Sequence, residues 1–185
     1  MVRKVTRDEI LDYVTYSEQR DGIHAEVMAQ KQDRRVHVGD ELTFLFENHD
    51  TVRYQVLEMV RVERIVKEAD IQHELDTYNE LLGDPGGLGC TLLIEINDPE
   101  VRDARLRELL SLPQHIHLEV EGGGRVPAQF DARQVGEDRV SSVQFLKFDA
   151  AGMAPRAILV DHPALQVRYP LSEAQRSALS ADMSP

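Results

Sequence analysis

The sequence contains little cysteine, few aromatic residues and no long apolar run. Cys90 is the single cysteine, which excludes an internal disulfide bond and any zinc or iron–sulfur site built from several cysteines of this chain. Tryptophan is absent and aromatic residues make up only 5%, so the core must be mainly aliphatic. No segment approaches the roughly 18 apolar residues of a membrane-spanning helix, and the first residues lack the apolar stretch of a signal peptide. We therefore expect a cytoplasmic protein without a membrane segment.

Positive charge is also scarce. The chain has 33 acidic and 21 basic residues, which gives a formal net charge of -12. The basic pairs Arg34-Arg35 and Arg61/Arg64 have acidic neighbours, so no strongly basic patch is expected. Because such a surface repels phosphate backbones, nucleic acid is not an expected partner. A length of 185 residues with 42% hydrophobic residues fits one domain, residues 1–185.

Hydrophobic periodicity predicts helices first and strands later. The predicted helices cover about 6–19, a second segment ending near Asp33, 51–67, 70–82, 98–110 and a short segment opening at Ser172. The predicted strands cover about 36–38, 42–46, 91–96, 115–121, 124–130, 141–148, 156–161 and 165–169. This order favours an α+β fold in which the helical N-terminal two-thirds packs on a mainly antiparallel sheet built largely from the C-terminal third.

The predicted helix over 51–67 carries polar residues where apolar ones are expected. At about 100° per residue, Glu63 falls within the apolar stripe of Val52, Val56 and Met59, with Gln55 and Glu58 beside it. A buried carboxylate must be paired, protonated or bound to a ligand, because isolated burial costs several kcal/mol. Three readings stay open: structural ion pairs, a functional polar pocket, or a metal site.

Two further features bear on metal binding. The carboxylate-bridged di-iron pattern needs a His three residues after a Glu, but Glu58 is followed by Arg61 and Glu63 by Val66. His115 and His117 point to the same face of a predicted strand and could chelate a metal if a third ligand approached. Their face is the more polar one, so solvated strand residues are the simpler reading, and these histidines are weak metal candidates. No bound cofactor is expected, although a metal ion stays an alternative.

Several short blocks resemble one protein family. The blocks are Arg34-Arg35-Val36 with Val38-Gly39, Thr43–Asn48, Tyr54-Gln55-Val56 with Glu58-Met59 and Arg61, Glu74-Leu75 with Tyr78-Asn79, Thr91–Glu95, and Val143–Leu146. Together they resemble the bacterial proteins catalogued as domain of unknown function 3501, over about Thr6 to Leu179. The blocks and the helical pattern converge on one candidate polar pocket, which consists of Tyr54, Gln55, Glu58, Arg61, Glu63 and Glu74.

The resemblance implies no established activity. Members of this family are often encoded beside rubrerythrin-like and iron–sulfur oxidoreductase proteins, which implies an accessory or binding role with a redox protein partner. The alternative is an enzyme or metal-binding protein that uses the carboxylate pocket on the 51–67 and 70–82 helices. A homodimer is a further expectation.

Overall fold

A computed structural model describes residues 3–184, with five α-helices and nine strands in that range. The helices are α1 (Tyr13–Gln32), α2 (His49–Val62), α3 (Glu68–Asn79), α4 (Pro99–Glu108) and α5 (Glu173–Met183). The strands are β1 (Arg35–Val38), β2 (Leu42–Glu47), β3 (Leu88–Ile94), β4 (Ile116–Val120), β5 (Arg125–Pro127), β6 (Gln129–Phe130), β7 (Val143–Phe148), β8 (Pro155–His162) and β9 (Leu165–Pro170). Among residues 3–184, none of the helices combines the length and the apolar composition that crossing a bilayer requires.

The strands form two antiparallel sheets. The first sheet has the order β1-β2-β3-β7-β6, and the second has the order β5-β4-β8-β9. Successive side chains of a strand point to opposite faces of its sheet. In each sheet the side chains of one face are buried, and together they form one apolar core. On β2 this set includes Leu42, Phe44 and Phe46. Leu106 of α4 and Leu179 of α5 pack into the same core.

The helices α1, α2 and α3 form a second apolar cluster of their own. Val52, Val56 and Val60 of α2 are fully buried in it, with Leu75 from α3. Asn48 begins α2, because its side chain accepts a hydrogen bond from the Thr51 N–H. The turn after α3 then lies directly against the first sheet.

An ion pair joins the turn between α1 and β1 to α5. The Arg34 guanidinium donates to both carboxylate oxygens of Asp182, at 2.7 and 2.8 Å. Both side chains are about nine-tenths buried, and Asn48 Nδ2 also donates to this carboxylate at 3.3 Å. The bidentate pair therefore connects positions 148 residues apart in the chain.

The predicted sheet arrangement is wrong. Helices are distributed along the chain, and β1, β2 and β3 from its first half build most of one sheet instead of a helical layer. The first sheet is completed by β7 and β6, and Phe145 of β7 pairs with Thr91 of β3. Period-two patterns indicate strands, but they do not say which distant strand each one pairs with. Two sheets were therefore not distinguishable from the pattern.

Two predicted helix boundaries also need correction. The segments predicted as separate helices near 6–19 and up to Asp33 form one α-helix, Tyr13–Gln32, preceded by a short turn at Arg7–Glu9. The helix predicted over 51–67 ends at Val62 instead. Arg64 has a φ of 51°, and the Ile65 N–H bonds to the Val60 carbonyl, which closes the helix with a left-handed cap.

Candidate functional site

Glu58 lies at the centre of a polar network between α1 and α2. Its Oε1 accepts hydrogen bonds from Tyr16 Oη at 2.6 Å and Arg20 Nε at 2.7 Å. Its Oε2 accepts from Arg61 Nη2 at 2.9 Å and from Arg20 Nη2 at 3.3 Å. The carboxylate is 16% exposed, so donors from three side chains surround a mostly buried charge. The network joins the two helices with charge-assisted hydrogen bonds.

The surroundings of Glu58 keep it ionised. Burial alone would raise the pKa of this carboxyl, but the hydrogen bonds from Arg20, Arg61 and Tyr16 outweigh burial and lower its pKa to about 2. Burial and the hydrogen bond to Glu58 raise the pKa of the Tyr16 hydroxyl. Both groups therefore stay in one protonation state near neutral pH, which is typical of a structural ion pair and unlike a general acid or base.

The other candidate pocket residues are only partly brought together. Tyr54 is buried and its Oη lies 2.8 Å from His24 Nδ1, beside the Glu58 network. Gln55 is half-buried on α2. Glu63 is exposed at the end of α2, so the expectation that it is buried is wrong. Glu74 is half-buried on α3, and within residues 3–184 it has no side-chain hydrogen bond to Glu58.

Sequence reasoning missed the α1 half of this network. Tyr16, Arg20 and His24 recur at every fourth position, which places them on one face of a helix. Tyr16 is fully buried and Arg20 is about one-third exposed. These three residues form a polar stripe on one predicted helix, and Glu58 lies on the next helix. This pattern was the available signal that the two helices pair through Glu58.

His115 and His117 lie near one carboxylate. His115 Nδ1 is 3.3 Å from Asp161 Oδ1, and His117 Nδ1 is 4.0 Å from the same atom. The His115 and His162 rings also pack edge to face, with 5.1 Å between their ring centroids. Across the part of the chain that the structure describes, no group of three or more His, Cys, Asp or Glu residues is arranged to hold a metal ion.

An open depression lies elsewhere, between the end of α3 and the strands β6 and β7. We call it the α3–β7 groove; its volume is about 770 Å³ and its lining is mostly apolar. Its lining includes Tyr78, Leu81, Phe130, Gln134, Phe145 and Lys147. Phe145 is 48% exposed on the outer face of the first sheet, beside Thr91.

Gly89 explains why the groove forms at this position. A Cβ atom at Gly89 would lie 1.7 Å from the Leu81 carbonyl oxygen, so only glycine lets the chain after α3 lie this close to β3. The contact holds the end of α3 against one side of the sheet face. Phe145, one strand further along the sheet, remains open to solvent.

Negative charge lies along α3, and one carboxylate at its end, that of Glu80, lines the groove. The segment from Glu68 to Glu80 contains five carboxylates and no lysine or arginine. Glu80 is exposed and lines the groove, at the negative end of the α3 dipole. Lys147 lines the opposite side, and Asp131 is paired with Arg133.

Comparisons with known proteins agree with the resemblance of the sequence blocks. A search of the curated proteins found no match. A crystal structure of a novel protein of unknown function from Burkholderia pseudomallei K96243 is similar, with a TM-score of 0.88 and 32% identity over 98% of this chain and 100% of that one. The family model described as a protein of unknown function, DUF3501, matches residues 4–183. The predicted resemblance is confirmed, and the chain belongs to the DUF3501 family.

Proposed function

We propose that this protein is a non-catalytic binding protein that docks another protein in the α3–β7 groove. The observation that carries the proposal is the exposed Phe145 at the edge of a mostly apolar groove of about 770 Å³. Contiguous exposed apolar surface is typical of interaction sites, and aromatic residues contribute strongly to binding energy at such sites. In a chain with so few aromatic residues, an exposed phenylalanine beside Tyr78 and Leu81 favours docking over a chance surface position.

The carboxylate-pocket alternative has less support. A general base or a metal ligand needs a carboxylate oxygen that can reach its target. Both oxygens of Glu58 already accept hydrogen bonds from Arg20, and Tyr16 and Arg61 donate as well. An enzyme or metal-binding protein using Glu58, Glu63 and Glu74 stays a prediction. Elemental analysis of the purified protein, repeated on Glu58→Gln, tests it: bound metal that the variant loses would favour the alternative.

The identity of the partner is a prediction from the family resemblance. A rubrerythrin-like or iron–sulfur redox protein is the first candidate, and the cytoplasm is the expected location. Titration of the purified candidate into this protein by calorimetry tests the redox assignment. Saturable binding that Phe145→Ser abolishes would support it, and no detectable heat at micromolar concentration would count against this candidate.

A synthetic probe tests the docking proposal without knowledge of the partner. The probe is a fluorescein-labelled heptapeptide of alternating lysine and leucine, titrated with the protein in about 150 mM salt to screen the general attraction to an acidic surface. We expect Phe145→Ser to weaken binding about tenfold or more, measured by fluorescence anisotropy. The matched control is Val66→Ser, because Val66 is an apolar residue with 74% exposure outside the groove lining.

The control variant and a charge variant complete the test. Val66→Ser should bind the probe as the natural protein does. Glu80→Lys should weaken binding because it removes negative charge from the groove border. Equal affinity of Phe145→Ser and the natural protein would contradict docking at this site. Circular dichroism of each variant confirms that the fold is retained.

A further inference from the structure

The edge of β7 beside the α3–β7 groove is not covered by a full strand. Strand β6 pairs with β7 only at Gln129↔Lys147 and Phe130↔Leu146. The chain then turns away at Asp131 into a short helical turn, Ala132–Gln134. Within residues 3–184, no strand pairs with the Val143–Phe145 part of β7 on this side.

Side chains satisfy the main-chain groups that a missing strand would bind. The Phe145 N–H donates to Gln134 Oε1 at 2.5 Å, and Gln134 Nε2 donates to the Phe145 carbonyl at 3.2 Å. The Val143 N–H donates to Ser141 Oγ at 3.2 Å. A carboxamide has the same donor and acceptor as a peptide group. The Gln134 side chain therefore makes the two bonds of a hydrogen-bonded antiparallel residue pair.

We propose that the α3–β7 groove receives an extended segment of a protein partner, whose main chain replaces the Gln134 side chain on Phe145. This inference rests on the proposed function. The exchange leaves no buried polar group unpaired, because each bond of the carboxamide is remade by a peptide group. The binding energy then comes from side chains of the segment, since alternate residues of an added strand fall on the groove side.

The lining defines the chemistry of the segment. We expect the residue of the partner segment that pairs with Phe145 to be apolar. Its side chain would share the outer face of the sheet with Phe145 and point towards Tyr78 and Leu81. The residues on either side of it point away from the groove, so basic residues there act through the overall negative charge of the surface, to which exposed Glu80 contributes. The net charge of -12 favours a basic segment over an acidic one and disfavours a second copy of this chain.

Peptide order and main-chain chemistry test the strand mode. One heptapeptide alternates lysine and leucine; its isomer has the same residues reordered so that the leucines lie on one face of a helix. We expect the alternating peptide to bind about tenfold more tightly by fluorescence anisotropy. N-methylation of its central residue should weaken binding about fivefold, because a main-chain donor is lost. Gln134→Ala should strengthen binding, since no side chain must be displaced.

The outcomes separate this inference from the proposed function. If both isomers bind equally and N-methylation has no effect, while Phe145→Ser still weakens binding, the strand mode is wrong and the docking site stands. If Phe145→Ser changes neither affinity, the proposed function is wrong as well. If Gln134→Ala instead forms dimers by sedimentation and does not bind the peptide more tightly, the side chain protects the edge from self-association and the inference is overturned.

Discussion

Replacing Glu58 by glutamine tests the role of the polar network between α1 and α2. The substitution keeps the shape of the side chain but removes the charge that Arg20 and Arg61 share. Removing one partner of a buried ion pair costs about 3–5 kcal/mol, and the two arginines are each about one-third exposed, which lowers this figure by solvent screening. We expect the free energy of unfolding to fall by about 2–3 kcal/mol at pH 7.

The effect should depend on pH in a defined direction. The pKa of Glu58 is about 2 in the folded protein, below the ordinary value of 4.5. A lowered folded-state pKa gives stability that is complete above about pH 4.5 and is lost as the pH falls to about 2. This difference in pKa corresponds to at most about 3 kcal/mol. Glu58→Gln should therefore lose less stability than the natural protein between pH 7 and pH 3.

Urea unfolding followed by circular dichroism at both pH values measures the effect. Glu63→Gln is the matched control, because Glu63 is exposed at the end of the same helix and its substitution should change stability by less than about 0.5 kcal/mol. Glu9 also has a pKa of about 2, but it is present in both proteins and cancels from their difference. Equal stability of Glu58→Gln and the natural protein at pH 7 would refute the structural role of the network.

Three further predictions concern other parts of the fold. Arg64→Gly should raise the free energy of unfolding by about 0.5–1 kcal/mol, because glycine adopts a φ of 51° without strain; a fall in melting temperature would contradict this. Arg34→Met should lower the free energy of unfolding by about 3 kcal/mol, because it leaves the Asp182 charge buried without its partner. The double variant with Asp182→Leu should regain much of this stability in urea unfolding, whereas additive losses from the two substitutions would argue against the pair. Burial raises the pKa of the Cys90 thiol, so it should react with a thiol reagent only after unfolding, and rapid labelling of the folded protein would contradict its burial.

Local patterns in the sequence predicted most individual elements but not their assembly. The alternation of Leu42, Phe44 and Phe46 indicated β2, and the Asp98-Pro99 pair indicated the start of α4. The pairing of β3 with β7 joins segments about 50 residues apart, and no local signal specifies it. For the same reason the α3–β7 groove was not predicted, because its lining comes from four separate segments.

The candidate pocket was predicted in part for a physical reason. Helical spacing correctly drew attention to Glu58, since a polar residue near an apolar stripe needs a partner. The same spacing wrongly predicted that Glu63 is buried, because the predicted helix continued to position 67. The helix ends at Val62, and Val66 beyond it is 74% exposed, so the apolar stripe does not continue past Glu63 as the longer helix would require. The hydrogen-bond partners of Glu58, Tyr16 and Arg20, lie on α1, so the pattern of the 51–67 segment alone does not reveal them.

Mapping of the alternating lysine–leucine peptide onto the protein by NMR tests docking in the α3–β7 groove most directly. The account predicts that titration shifts the amide signals of Tyr78, Leu81 and Phe145, with the change at Phe145 among the largest because its N–H exchanges one acceptor for another. The signals of His117, on the second sheet, and of His115, just before it, should stay in place. Shifts spread evenly over the acidic surface, or centred on His117 and absent at Phe145, would contradict the account.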